Sequence, residues 1–203
     1  MERAMQIGIS IVILMTVVFI YTSLNAENLK QTDHVLKDTT VKVIWREDVF
    51  DKELKEKVNV IKLNDNYFAN ITEPEKAVLG YLGSTIGNEC YYEGEKSNVK
   101  CKILTALNLG AQCSEANKTF LKSWFKDDKE IADQIENCKP KAVSSVLEKT
   151  FDVVTISTNS STIKVKIQGL NLDFKKENTY KWTEDLSFRV NEDKLSLIER
   201  KKQ

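Results

Sequence analysis

Four hydrophobic patterns follow one another along the chain: an unbroken apolar run, a first alternating stretch, a helical stretch and a second alternating one. Ile7 to Tyr21 is an uncharged, mostly branched apolar run. Next, TVKVIW places Val41, Val43 and Trp45 on one side, which predicts a short strand by alternation. Asp51 stands where it can cap a brief helix through Lys57, VNVIKL alternates again as a second strand, and NDNYFAN carries turn chemistry.

From Thr72 the period becomes helical. Thr72 and Glu75 form a capping-box pattern, with Pro74 in the first turn where its missing N–H does no harm. Val78, Leu79, Leu82 and Ile86 supply the apolar face. Gly80, Gly83 and Gly87 recur on nearly one side, where each costs helix stability; they predict either a tight helix crossing or backbone approach to a ligand. A second helix is predicted from Val99 to Leu109, stopping at Gly110. A third is capped by Ser114 and carries Phe120, Leu121, Trp124 and Phe125 as a core face. Asp127 and Glu130 form another capping pattern before a fourth helix that aligns Ile131, Ile135 and Cys138 and ends at Pro140. AVSSVLEK adds a last helical turn or two.

After Phe151 the period falls to two. TIKVKIQ alternates Ile163, Val165 and Ile167 against polar partners, and Leu170, Leu172 and Phe174 continue in the opposite phase, so a β-bulge is expected at Gly169. YKWTEDLSFRV places Tyr180, Trp182, Leu186, Phe188 and Val190 on one face. NEDK turns the chain and LSLIER returns. The expected fold is α+β: four or five helices, stapled by two disulfides, packed on a C-terminal four-stranded antiparallel meander with a short N-terminal strand at one edge. The aromatic strand, polar turn and final strand loosely resemble the end of the nuclear-transport-factor-2-like fold. The strands expected before Thr72 depart from that fold, and no residue role is carried over from it.

Composition narrows the setting. The 203 residues are 41% hydrophobic and 30% charged, which suits one well-buried core. Thirty cationic and thirty acidic side chains cancel, so no basic stripe argues for nucleic acid as a partner. Arg3, the apolar run and SLNA, with Ala26 at the cleavage position, have the layout of a signal peptide over residues 1–26. An uncleaved anchor is the alternative, since residues 6–24 just suffice to cross a bilayer; membrane contact is expected only through them. Residues 27–38 read as a flexible leader and residues 39–200 as a single α+β domain. Both readings place that domain outside the cytoplasm, periplasmic or secreted.

Cys90, Cys101, Cys113 and Cys138 all lie in the exported part, where disulfides are expected. Cys101 and Cys113 at the two ends of one helix would stand ~18 Å apart, too far for a bond. Cys90–Cys101 with Cys113–Cys138 is preferred over the crossed pairing, because each bond then closes one helical hairpin. The gaps between cysteines do not fit a zinc site, and no CxxC is present, so no metal is expected.

Little catalytic chemistry remains. His34 is the single histidine and lies in the leader, which argues against a histidine-dependent nucleophile; no Gly-rich phosphate loop occurs, and no cofactor is expected. A carboxylate pair at Glu89 and Glu93 would be the candidate for hydrolysis of an envelope or extracellular polymer. The favoured expectation is a non-enzymatic domain that binds a protein or small ligand through the loop holding Tyr91, Tyr92 and Glu93. Three glycosylation sequons, at Asn70, Asn117 and Asn159, become relevant if the source is eukaryotic.

Overall fold

Alternation carries six strands rather than four. The computed structural model describes residues 39–87, 99–139, 147–173 and 175–203. Strands β1 (Thr39–Asp51), β2 (Glu56–Leu63), β3 (Leu147–Asn159), β4 (Thr162–Asp173), β5 (Asn178–Asn191) and β6 (Lys194–Lys202) form one antiparallel sheet in the order β2-β1-β3-β4-β5-β6. The expected four-stranded meander with a short edge strand is thereby corrected. β1 is 13 residues long and interior, paired with β2 on one side and with β3 on the other.

The sequence hides that length for a physical reason. Beyond Trp45 the strand leaves β3, and its second half pairs with β2 alone, from Arg46 opposite Ile61 to Asp51 opposite Glu56. In that half Glu47, Asp48 and Phe50 are exposed, so β1 itself shows no apolar alternation there, whereas its partner β2 keeps the alternation read in VNVIKL, with Val58 and Val60 half-buried and Ile61 buried. The helix expected from Asp51 to Lys57 is absent. Asp51 Oδ1 instead accepts from the backbone N–H groups of Glu53 and Leu54 and closes the β1–β2 turn.

Bulges set which side chains face the core. In β1 the register shifts between Lys42 and Ile44, so Val43 and Ile44 are both buried and the simple alternation through Trp45 breaks. The bulge expected at Gly169 lies across the ladder, in β3, where Phe151 pairs with Gly169 and Val153 with Gln168, leaving Asp152 as the extra residue. β4 itself runs straight. Gly169 stays in phase with buried Ile163, Val165 and Ile167, and the indole of Trp182, its cross-strand partner on β5, occupies the space where a Cβ would stand.

The helices are α1 (Asp65–Ala69), α2 (Glu73–Thr85), α3 (Val99–Ala106), α4 (Glu115–Trp124) and α5 (Lys129–Glu136). α1 falls inside the segment expected to be a turn, with Asn64 as its cap. The capping box at Thr72 forms, Glu75 accepting from the Thr72 backbone and hydroxyl at 3.0 and 2.7 Å. Ser114 caps α4; α5 starts one residue later than expected, on Asp128. Leu147 to Lys149, expected to close a helix, begin β3.

α2 is the centre of the helical layer, and its two glycines are the reason. A Cβ on Gly80 would stand 2.6 Å from Leu109 and 3.2 Å from Leu121; one on Gly83 would stand 3.2 Å from Leu104. The tight-crossing reading of the glycine face therefore holds at these two positions. The opposite side of α2 meets the sheet through Tyr81, whose ring packs against Phe125 at 5.5 Å and against Phe188 of β5 at 6.1 Å.

Cys113 and Cys138 form a disulfide with Cα atoms 5.5 Å apart, tying the loop before α4 to the residues after α5. This bond excludes the crossed pairing. It is the one disulfide among the described residues, so the expected two-disulfide staple is corrected to a single one there; Cys90 lies outside them. Among the described residues no helix is long and apolar enough to cross a membrane.

Gly169→Ala places a methyl group where the Trp182 indole lies. Overpacking of this kind costs about 1–3 kcal/mol, expected as a lower urea midpoint with an unchanged slope. An unchanged midpoint would show that the indole does not cover Gly169.

Candidate functional site

One cluster places charge on the apolar face of the sheet. On β5 the residues facing the helices are Trp182, Glu184, Leu186 and Phe188, all 8% exposed or less. The third position in that apolar series is a carboxylate. Glu184 is 1% exposed; its Oε1 accepts from Arg200 Nε at 2.6 Å, and its Oε2 lies 3.8 Å from Lys149 Nζ. Lys149 Nζ also sits 3.9 Å from the centroid of the Trp182 ring, a cation–π contact, and that ring meets Phe151 edge-on at 6.2 Å.

Three strands meet in this cluster: β3 brings Lys149 and Phe151, β5 brings Trp182 and Glu184, and β6 brings Arg200. A buried carboxylate held by two cations is neutralised in place. Such a group holds strands in register. The chemistry of this cluster is thus structural cohesion at the end of the core. Among the described residues, no group of three or more His, Cys, Asp or Glu side chains comes together as a metal-ligand set.

Two buried phenols flank the helical layer. The Tyr81 hydroxyl donates to Gln134 at 2.8 Å, and burial is the main cause that raises its pKa above the ordinary tyrosine value. Tyr67 is raised further, first by burial and then by the neighbouring Glu75 carboxylate. Lys102 of α3 is shifted down, by burial and then by the nearby Arg46 and Lys62.

A second feature is the β1–β2 arm. Arg46 anchors its base, with Nε donating to the Phe151 carbonyl at 3.0 Å and Nη2 to the Thr150 hydroxyl at 2.9 Å. At the tip, Phe50 is 59% exposed and Leu54 62%. The pairing order brings the β4–β5 turn to the same end of the sheet, where Tyr180 is 54% exposed rather than facing the core as its alternation implies.

The sequence-derived candidates fall as follows. Glu89, Cys90, Tyr91, Tyr92 and Glu93 lie outside the described residues. Cys101 is on α3, half-buried; Cys113 and Cys138 are bonded to each other. Asn70 is exposed at the end of α1, and Asn159 is exposed beside the β3–β4 turn. Asn117 is 1% exposed, so it lies on the inner face of α4 and not on its wet one. Glu184 carried a readable signal, since it shares the phase of Trp182, Leu186 and Phe188. Arg200 carried none, because the register shift opposite Ser187 and Phe188 interrupts the alternation of β6.

Replacing Glu184 by leucine removes the carboxylate that Arg200 and Lys149 share. Both reach solvent, so the expected loss in a denaturant titration is about 1–2 kcal/mol, less than for a fully buried pair. Adding Arg200→Leu to that variant recovers part of the loss; equal and additive losses would mean the two residues do not interact.

The raised phenols give a signed pH dependence. Unfolded tyrosine ionises near pH 10 while Tyr67 and Tyr81 stay protonated in the fold, so their contribution is complete below about pH 10 and is lost as pH rises beyond it. Thermal midpoints should fall between about pH 9.5 and 11, and less steeply in Tyr67→Phe. A midpoint indifferent to pH across that window would contradict the burial of these hydroxyls.

Comparison with known proteins finds no counterpart: no family model, no curated protein and no solved structure matches the chain.

Proposed function

We propose that the chain is an exported, non-enzymatic domain that binds another protein through the tip of the β1–β2 arm. The observation that carries this reading is the pair Phe50, near the end of β1, and Leu54, on the turn that follows, two large apolar side chains more than half exposed. Single exposed apolar residues are common on any surface. Here two stand at the tip of an arm whose turn is closed by Asp51 and whose base is anchored by Arg46, so little ordering entropy remains to be lost on contact.

Export is supported from two sides. The Cys113–Cys138 disulfide suits an oxidising, extracytoplasmic compartment. The apolar run Ile7–Tyr21 with Ala26 behind it has the layout of a signal peptide, either cleaved or kept as an anchor. The hydrolase reading depends on Glu89 and Glu93, and it gains nothing from Glu184, whose charge is already neutralised by Arg200 and Lys149.

The test is capture of partners from the extracytoplasmic fraction of the native host with wild type, Phe50→Ser/Leu54→Ser and Tyr91→Ala/Tyr92→Ala. The arm variant should lose the captured partner by about tenfold or more, with stability changed by no more than about 0.5 kcal/mol, as for exposed positions in general. Loss confined to the tyrosine variant would move the recognition surface to that loop. Undiminished capture by both would remove the binding proposal.

A further inference from the structure

The three sequons are physically unequal, and the difference is independent of the binding reading. Glycan transfer replaces one Nδ2 hydrogen of asparagine by the anomeric carbon of an oligosaccharide. The lipid diphosphate that carried the sugar leaves, and the displaced proton goes to solvent. The product needs a path from Nδ2 to solvent. Asn70 and Asn159 have one, since both residues are exposed. Asn117 has none.

Asn117 sits in the first turn of α4 at 1% exposure. Its Oδ1 accepts from the Ser84 hydroxyl of α2 at 2.9 Å, and its Nδ2 is buried without a hydrogen-bond partner. Gln112, beside the disulfide residue Cys113, donates to the Ser84 carbonyl at 2.8 Å, so the same spot is closed by the loop before α4. A sugar on Asn117 Nδ2 would have to part α4 from α2. That would remove Leu121 from its place against Gly80 and carry Cys113 away from Cys138.

We infer that Asn117 is a glycosylation trap: the domain reaches its fold only along an export route that leaves this asparagine unmodified. Asparagine-linked transfer acts on chains before they fold, so native burial does not protect the sequon. A chain with this core is therefore matched to an exporting membrane that lacks such a transferase.

Thr119 makes the inference testable. It completes the Asn117 sequon, yet it is exposed on the outer side of α4, so Thr119→Ala removes the modification without touching the core. Full-length wild type and Thr119→Ala are translated into eukaryotic microsomes under oxidising conditions. Glycoforms are assigned by mass after enzymatic deglycosylation, and folding is read as protease resistance. The expected result is a resistant Thr119→Ala product bearing sugar at Asn70 and Asn159, with resistance lost in wild-type chains modified at Asn117. Wild-type chains as resistant as Thr119→Ala would overturn the inference, whether Asn117 carries sugar or is passed over. Thr119→Ala chains no more resistant than wild type would overturn it as well, since the glycan would not then be the obstacle.

Discussion

Helix α2 has to bury both of its sides at once, and the rest of the molecule is arranged around that requirement. From Pro74 to Ser84 nearly every residue is buried, including Tyr81 at 0% exposure. One side meets α3, α4 and the loop between them so closely that a Cβ at Gly80 would displace the Leu109 side chain. The other side meets the sheet through an aromatic triangle of Tyr81, Phe125 and Phe188. A helix used in this way loses propensity at its glycines and recovers it in contact area.

Polar links finish what this packing begins. Asp128 caps α5 with one oxygen and accepts from the Leu197 backbone of β6 with the other, at 2.8 Å, so a single carboxylate joins helix start to strand. Lys126 with Asp193 and Lys194 with Asp127 bracket the same junction on the surface, where such pairs contribute little individually. At the far end of the core, Glu184 joins β3, β5 and β6 through its two cations. The disulfide closes the third corner. The helical layer is thus held to the sheet at separate points, and the arm of β1 and β2 is left outside that clamp.

This division gives physical content to the functional reading. The clamped core is occupied with its own cohesion: its buried carboxylate is held by two cations, its phenols are driven towards the protonated form, and its buried asparagine accepts from Ser84 of α2. Phe50 and Leu54, the two most exposed of the large apolar residues described, stand on the arm, where contact with another molecule would not disturb the core. Binding at such a place needs no conformational change in the domain.

Period and capping chemistry by themselves determined the class of the long segments, but not of the short ones: residues 51–57 hold a turn and no helix, Asp65–Ala69 a helix and no turn, and residues 147–149 the start of a strand. The glycine face of α2, the Thr72–Glu75 box, the aromatic face of α4 and the strands from Phe151 onward could all be read, because each is written in residues close together in sequence. Tertiary structure alone decided the joining of the six strands into one sheet, the length and inner place of β1 and the site of the bulge. β1 joins β3 across more than a hundred residues, and its outer half, paired with β2 alone, carries no apolar alternation to read. The bulge left its mark at Gly169 but lies on the neighbouring strand, since what the glycine answers is the Trp182 ring. Glu184 could be placed on the core face by counting in twos. Its partner Arg200 could not, because a register shift in β6 intervenes and only the folded sheet brings the two together.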